Sequence, residues 1–174
     1  EKICQPIGRR RQQGRTSHMK LRSAEISDIG RITELLYQVH KVHSDGRPDI
    51  FRPGAKKYTE GELLEIIQDD TRPVYVAEND NGVVDGYAFC LLQEVKDDKS
   101  CQDMKTLYID DLCVDEKSRG EHIGSALYHY VCEEAKRLGC YHITLNVWEL
   151  NPSAKKFYET MGLKPLKTTL EHIL

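Results

Sequence analysis

The stretch LCVDEKSRGEHIGSAL, residues 112–127, decides the fold because an apolar run gives way first to a charged turn and then to a helical pattern. The run ends near Val114, the turn contains Gly120, and the helix opens around Ile123 and Gly124. The first N–H groups of a helix have no intrahelical acceptor and carry a partial positive charge, so this junction would suit a pyrophosphate. The same pattern also fits an ordinary strand–turn–helix connection.

A second stretch, NVWELNPSAKKFYETMGL at residues 146–163, predicts another strand followed by another helix. Asn151 is a suitable N-cap, and the proline after it suits the first helical position. Phe157, Tyr158 and Met161 then lie on the inner face of the helix. The stretch therefore places a tyrosine on a helix that directly follows a strand.

Outward from these stretches, the patterns predict the element order β-α-α-β-β-β-α-β-α-β-β. The first helix is capped by Ser27 and ends at about His43, and two short strands at 163–168 and 169–174 finish the chain. The second helix is expected to bury four residues: Leu63, Leu64, Ile66 and Ile67. Antiparallel strands thus lead into a parallel strand–helix–strand unit, where a ligand site is expected outside the carboxyl ends of the strands.

The two stretches together resemble the GNAT N-acetyltransferase superfamily over about residues 20–174. The first resembles the acetyl-CoA motif Arg/Gln-x-x-Gly-x-Gly/Ala, with His122 in place of the middle glycine. The second resembles the pattern Asn-x-x-Ala-x-x-Phe-Tyr-x-x-x-Gly-Phe, with Leu163 as a conservative change. The resemblance implies an α/β (α+β) fold with a mixed, mostly antiparallel sheet of six to seven strands, a splayed parallel pair and about four helices. A narrower likeness links 108–114 and 148–158 to the polyamine and thialysine acetyltransferase branch.

The resemblance also implies which residues hold acetyl-CoA, the expected cosubstrate. Backbone N–H groups at the end of the third long strand would hold the pantetheine arm and polarise the acetyl carbonyl, and Tyr158 would protonate the departing thiolate. The residues implied in cofactor contact are Leu112, Cys113, Val114, Arg119, Gly120, Glu121, His122, Ile123, Gly124, Ser125, Asn151, Ser153, Lys156 and Tyr158. The side chain of His122 could point into solvent or crowd the pyrophosphate.

Attack by an amine on a thioester requires a base, because an alkylamine with a pKa near 10.4 is protonated at neutral pH. Asp110 is the preferred candidate, by its likeness to an acidic residue of the polyamine branch, and Asp111 is the alternative. Adjacent strand residues face opposite sides of a sheet, so only one of them should point into the cleft. Both could instead be solvated charges. No covalent intermediate is required, so Cys113 is not proposed as a nucleophile.

The composition narrows the class of partner. A net charge of -3 in 174 residues argues against a general nucleic-acid binder and agrees better with a small-molecule or cationic acceptor. The resemblance implies a small primary amine, such as a polyamine or an amino-acid-like amine. A protein N-terminus or lysine as acceptor, or non-catalytic acyl-CoA binding, is the alternative. The loop at 45–53 lies where this superfamily shapes the acceptor site, and Asp45 and Asp49 could attract a cation there. His40 and His43 lack a third ligand at metal-binding spacing, so no metal is expected.

The remaining expectations concern location and assembly. The six cysteines show no CxxC pair, and no apolar stretch reaches the roughly 20 residues of a membrane helix, which favours a cytoplasmic protein with no membrane partner. The resemblance implies a homodimer. Residues 1–18 carry three consecutive arginines and no periodic apolar face, so they are interpreted as an expression-tag remnant or a disordered arm. A basic nucleic-acid arm or a transit peptide is the alternative. Residues 19–174 are then expected to form a single acetyltransferase domain.

Overall fold

The computed structural model describes residues 19–174, so the interpretation of 1–18 lies outside the described residues. The described chain contains one five-stranded sheet whose spatial order follows the sequence. The first three pairings are antiparallel, and the last is parallel. The strands are β1 (Lys20–Ser23), β2 (Val74–Glu78), β3 (Val84–Val95), β4 (Met104–Val114) and β5 (His142–Leu145).

Four α-helices accompany the sheet in the described residues: α1 (Ile29–Gly46), α2 (Glu60–Ile67), α3 (Ile123–Arg137) and α4 (Pro152–Thr160). Single 3₁₀ turns at Ile26–Asp28 and Glu116–Ser118 precede α1 and α3. Local chemistry explains where α2 and α4 begin. Thr59 and Glu62 form a reciprocal capping box, and Asn151 accepts a hydrogen bond from the Ala154 N–H.

The helices cover both faces of the sheet. Ile32 and Leu35 of α1, with Leu63 of α2, pack on one face against Tyr87 and Cys113. On the other face, α3 and α4 pack against apolar residues of β3, β4 and β5, namely Ala88, Cys90, Leu107, Ile109 and Ile143. Burying apolar surface on both faces drives the assembly of the layers.

The mixed sheet and the four helices agree with the sequence prediction, but the count of six to seven strands is wrong, since the described chain has five. No strand forms at 163–168 or 169–174. Pro165 lacks an amide donor, and the apolar side chains of this segment (Leu166, Leu170, Ile173 and Leu174) are largely exposed instead of packed.

Two element details also differ from the prediction. Ser27 is not the cap of the first helix: the Asp28 carboxylate accepts from the Glu25 N–H at 2.8 Å and pairs with Arg22 at 2.6 Å. The helix continues to Gly46 instead of ending near His43. In α2, Leu63 and Ile66 are buried, whereas Leu64 is exposed.

None of the helices in residues 19–174 is long and apolar enough to cross a membrane. The cysteines in this part of the chain are free thiols, and burial raises the pKa of Cys113 to about 12. A thiol with that pKa is not a thiolate nucleophile at neutral pH.

Gly86 lies where the β3 backbone passes close to β4 and to side chains of α3. A methyl group there would lie 2.8 Å from the Cys113 carbonyl oxygen and 3.0 Å from Leu127 Cδ1. We expect Gly86→Ala to lower the free energy of unfolding by about 1–3 kcal/mol, as other overpacked sites do, in urea denaturation. Gly30→Ala is the control, because Gly30 lies in α1 with nothing within 4 Å of the added methyl. It should stabilise the fold by about 0.5–1 kcal/mol, and an equal loss in both variants would contradict the steric account.

Candidate active site

The sheet opens between its two parallel strands. β4 pairs with β5 only from Thr106 to Ile109, opposite His142 to Leu145. Beyond that point β4 continues to Val114 with β3 as its only partner among the described strands. The backbone of β4 between 110 and 114 therefore borders an opening at the carboxyl ends of the parallel strands, the place where α/β sheets bind ligands.

The direction of the β4 amides follows from one hydrogen bond just beyond the strand. The Asp115 N–H donates to the Asp85 carbonyl at 2.8 Å, so it points toward β3. Because backbone groups alternate along an antiparallel strand, the Cys113 amide also points toward β3, and those of Leu112 and Val114 point to the opening. The resemblance implies cofactor contacts from Leu112, Cys113 and Val114. Of their three amides, those of Leu112 and Val114 are in a position to make such contacts.

The turn after β4 is held by a buried carboxylate. Asp115 forms an ion pair with Arg31 of α1 and accepts from the Lys117 N–H at 2.9 Å. The hydrogen bond from Lys117, together with the Arg31 charge, keeps the pKa of Asp115 below its usual value. Arg119 and Glu121 are exposed on the turn that this carboxylate anchors.

Within residues 19–174, the first backbone amides of helix α3 have no hydrogen-bond acceptor. The first backbone bond of the helix is from the Ala126 N–H to the His122 carbonyl at 3.0 Å, and the side chain of His122 caps nothing. The N–H groups of Ile123, Gly124 and Ser125 precede that bond, so they are the orphan donors of the helix start. Together with the helix dipole, they provide the anion site expected from the sequence.

His122 adopts the backbone conformation that explains why the motif usually carries glycine at this position. Its φ of 62° and ψ of 13° are left-handed, and its side chain is exposed. Left-handed backbone costs a residue with a side chain roughly 1–2 kcal/mol, although histidine is among the residues that adopt it more often. The imidazole points into solvent in this structure, so it does not fill the core of the turn.

We expect His122→Gly to raise the free energy of unfolding by about 1 kcal/mol, because glycine adopts positive φ without steric cost. Urea denaturation measures the change. The control is Glu121→Gly, since the non-glycine residues with positive φ in the described chain are Asp97 and His122 alone. Glu121→Gly should lower stability, and a gain of equal size in both variants would show that strain at His122 is not the cause.

The two sequence motifs meet at Gly124. A methyl group added there would lie 3.5 Å from Phe157 Cζ and 3.6 Å from Val114 Cγ2. The start of α3, the end of β4 and the inner face of α4 therefore pack directly on one another. This contact brings α4, which carries Tyr158, to the opening beside β4.

A β-bulge sets the direction of the two candidate carboxylates. Phe89 pairs with Asp111 and Cys90 with Ile109, which leaves Asp110 as the extra residue. Alternation is broken at this point, so both carboxylates reach the same ammonium: Lys57 Nζ lies 2.8 Å from Asp110 and 3.9 Å from Asp111. The strict alternation that would place the two carboxylates on opposite faces therefore does not hold at this bulge.

The two carboxylates have different surroundings. Asp111 accepts a hydrogen bond from the Tyr87 hydroxyl at 2.9 Å, and its side chain is only 9% exposed. Burial raises the pKa of Asp111, against the opposing effects of Lys57 and Tyr87. Asp110 is 37% exposed and accepts from Lys57 and from the Tyr58 hydroxyl at 3.2 Å. Asp111 is thus a buried carboxyl whose proton affinity is increased, the usual property of a general base near neutral pH.

Tyr158 lies close enough to Asp111 to sense its charge. Burial, with Asp111 adding to the effect, raises the pKa of Tyr158 well above its usual value, so the phenol stays protonated in the neutral range. Among residues 19–174 its hydroxyl has no hydrogen-bond partner. It is nevertheless not counted among fully buried polar atoms that lack a partner, of which the described residues have none. The hydroxyl is therefore in contact with solvent and is not sealed in the core.

The other predicted residues of α4 have surface or capping positions. Asn151 uses its side-chain oxygen to cap α4, at 3.1 Å from the Ala154 nitrogen, so its NH₂ group is the part left for a ligand. Ser153 and Lys156 are exposed. Asp45 pairs with Lys41 and Asp49 with Arg47, so each carboxylate already binds a cation of this chain. No group of three or more His, Cys, Asp or Glu residues in the described chain could hold a metal ion.

Asp110 and Asp111 together form the acidic pair of the site. Sequence reasoning missed three residues that contact this pair: Lys57, Tyr58 and Tyr87. Lys57 and Tyr58 belong to the loop before α2, more than fifty positions from Asp110, and no periodicity connects them. Tyr87 occupies a strand position typical of core tyrosines, and only the cross-strand pairing reveals its hydrogen bond to Asp111.

Comparisons with known proteins agree with this architecture. The model of the acetyltransferase (GNAT) family matches residues 36–163. A mutant of the BH1408 protein from Bacillus halodurans is 30% identical, with a TM-score of 0.86 over 89% of this chain and 99% of that one. No curated protein matches the chain.

Two more distant structures share the fold. An aminoglycoside N-acetyltransferase, AAC(6')-Iy, in complex with CoA has a TM-score of 0.69 at 16% identity, over 92% of this chain and 97% of that one. Glucosamine-6-phosphate N-acetyltransferase from Arabidopsis thaliana has a TM-score of 0.66 at 24% identity, over 90% of this chain and 98% of that one. Since the family model spans more than half of the sequence, the chain belongs to the acetyltransferase (GNAT) family.

Proposed function

We propose that the chain transfers the acetyl group of acetyl-CoA directly to a primary amine of a small molecule. The observation that carries the proposal is the opening beside β4, which is bordered by the outward amides of Leu112 and Val114, by the orphan donors of α3 and by helix α4 with Tyr158. Acyl transfer needs a binding site, carbonyl polarisation, a base and an acid, and this opening has candidates for all four. The CoA complex of AAC(6')-Iy on the same fold is consistent with it.

The residues at the opening fit acetyl-CoA. Three uncommitted amides at the start of α3 would hold the pyrophosphate, with the exposed His122 imidazole directed away from the core of the turn. Acetyl-CoA supplies an activated acyl group as a thioester. The amides of Leu112 and Val114 would hold the pantetheine arm and donate to the acetyl oxygen as negative charge develops there.

Asp111 and Asp110 have different roles toward the acceptor amine. Asp111, buried and with a raised pKa, removes the proton directly or through water. Asp110 is half-exposed and already holds an ammonium group, that of Lys57, so it binds and orients the acceptor. Tyr158 returns a proton to the departing sulfur. In this arrangement the preferred base is Asp111, and Asp110 is the alternative.

A small acceptor is favoured by the space beside Asp110. A cavity of about 130 Å³ lies there between α2 and the sheet, which is well below the roughly 300–1,000 Å³ of sites for drug-sized ligands. A protein N-terminus or lysine would approach as an extended peptide and remains the alternative acceptor. The uncommitted hydroxyl of Tyr158 argues for catalysis over simple acyl-CoA binding.

The test combines a binding and a turnover measurement. Calorimetry should detect binding of CoA, and a free-CoA release assay should show acetyl transfer to at least one member of a panel of polyamines, amino acids, aminoglycosides and peptides. Absence of CoA binding would overturn the proposal, and binding without turnover on any acceptor would leave acyl-CoA binding as the function. The homodimer and the cytoplasmic location stay predictions, the first of them testable by light scattering.

A further inference from the structure

The cavity beside Asp110 has an unusual lining for a site that accepts a cation. Its polar side chains come from Tyr58, Arg72 and Asp110, and its apolar wall comes from α2 and β3. Arg72 follows α2 and is half-buried. Within the described residues its guanidinium makes neither a hydrogen bond nor an ion pair, so five N–H donors at the cavity are uncommitted.

A second cation lies at the same place. Lys57 Nζ is 2.8 Å from Asp110, and both carboxylates of the acidic pair raise its pKa against the effect of burial. Burial raises the pKa of Tyr58, and the charges of Lys57 and Arg72 both oppose that shift, which places both cations within electrostatic range of one hydroxyl. Lys57 thus lies between the carboxylates of Asp110 and Asp111, and Arg72, whose charge also acts on Glu62 and Asp69, adds a second positive group at the wall of the cavity.

This charge arrangement disfavours an acceptor that is cationic throughout its length. A polyamine would bring its second ammonium toward Arg72 and Lys57, where like charges repel. An amine that also carries a carboxylate would place its ammonium at Asp110 and its carboxylate at Arg72, because guanidinium groups bind carboxylates through paired N–H donors. The small volume of the cavity suits a molecule of the size of one amino acid.

We propose that the acceptor is a zwitterionic small molecule, an amine with a carboxylate that binds Arg72, with Lys57 limiting access of purely cationic amines to Asp110. This inference rests on the proposed acetyl transfer and names the substrate class of that site. The reaction balances as follows: the bond between the amine nitrogen and the acetyl carbon forms as the carbon–sulfur bond of the thioester breaks. The ammonium loses two protons, one to water and one to the base, and the departing sulfur takes one proton from the Tyr158 hydroxyl. Passage of the proton from the base back to Tyr158 through water restores both groups. Arg72 and Lys57 act on specificity and take no part in this exchange.

The experiment uses matched pairs of acceptors that differ by one carboxylate: lysine and cadaverine, ornithine and putrescine, leucine and isopentylamine. Free-CoA release gives kcat and KM for each member with the full chain. We expect at least one amino acid to exceed its decarboxylated partner about tenfold to a hundredfold in kcat/KM, the range of a charge-assisted hydrogen bond. Arg72→Gln should remove that preference by raising KM for the amino acid alone, and Arg72→Lys should restore part of it.

Two controls separate recognition from folding and from overall surface charge. Arg52→Gln removes an exposed arginine of the loop before α2 and should leave the preference intact, as should Lys56→Met beside Lys57. Lys57→Met should lower KM for the decarboxylated amines, since it removes the positive charge next to Asp110. A preference that survives Arg72→Gln, or a wild-type preference for the decarboxylated member of every pair, would overturn the inference.

The failure of this inference is distinct from the failure of the proposed function. Turnover of polyamines or aminoglycosides without any turnover of amino acids would overturn the zwitterionic substrate class and leave acetyl transfer standing. Binding of CoA with no turnover on any acceptor would overturn both acetyl transfer and the substrate class. Loss of CoA binding would overturn them at an earlier step.

Discussion

Tyr158→Phe is expected to lower kcat about a hundredfold, the lower end of the contribution of a positioned general acid. The affinity for CoA should change little. The tyrosine is half-buried at the opening, its raised pKa keeps the phenol protonated, and its hydroxyl has no partner within residues 19–174. Because the substitution removes no hydrogen bond of the fold, the free energy of unfolding should stay within about 0.5 kcal/mol of the wild-type value. Single-turnover kinetics, calorimetry with CoA and urea denaturation measure the three quantities.

The matched control is Tyr130→Phe. Tyr130 is also a half-buried tyrosine with a raised pKa, but it lies on α3 in edge contact with Tyr75, away from Asp111. It should retain full kcat. If both variants lose activity equally, the effect belongs to packing. If Tyr158→Phe keeps its turnover at all pH values, the sulfur leaves without a proton from this residue.

Local sequence signals predicted the elements that border the opening beside β4. The end of β4 at Val114, the start of α3 at Ile123 and the capping of α4 by Asn151 are set by residues within a few positions of each other. Such signals need no knowledge of distant contacts. For that reason the two motifs predicted the strand end and the helix starts that border the opening.

The acidic pair could not be predicted in the same way. Strand periodicity places Asp110 and Asp111 on opposite faces, and it is the bulge opposite Phe89 and Cys90 that puts both beside Lys57. A bulge depends on the register of two strands, which is a tertiary property. The two missing terminal strands have a related cause, since alternation in a short segment predicts a strand whether or not a partner edge is available to it.

Asp111→Asn is expected to lower kcat/KM by about a hundredfold or more and to change the pH dependence of the rate. A base works only when deprotonated, so the wild-type rate should rise with pH through the raised pKa of Asp111. The amide of asparagine does not titrate, so this limb of the profile should disappear. The matched control is Asp110→Asn, which alters the half-exposed partner on the same bulge and should keep the limb while raising KM. The reverse pattern would assign the base to Asp110.

The same raised pKa carries a second consequence, for stability. A carboxyl whose folded pKa lies above its unfolded value binds protons more tightly in the native state, so stability falls as pH rises from the ordinary carboxyl value through the raised one. The Asp111→Asn substitution would remove that loss while keeping an acceptor for the Tyr87 hydroxyl. The variant should therefore match the wild type at low pH and become progressively more stable than it as pH rises, in urea denaturation across the pH range. The charged Asp111 carboxylate would thus lower the stability of the fold, while the uncharged asparagine would lower activity. This combination is expected of a residue that catalysis requires and folding does not.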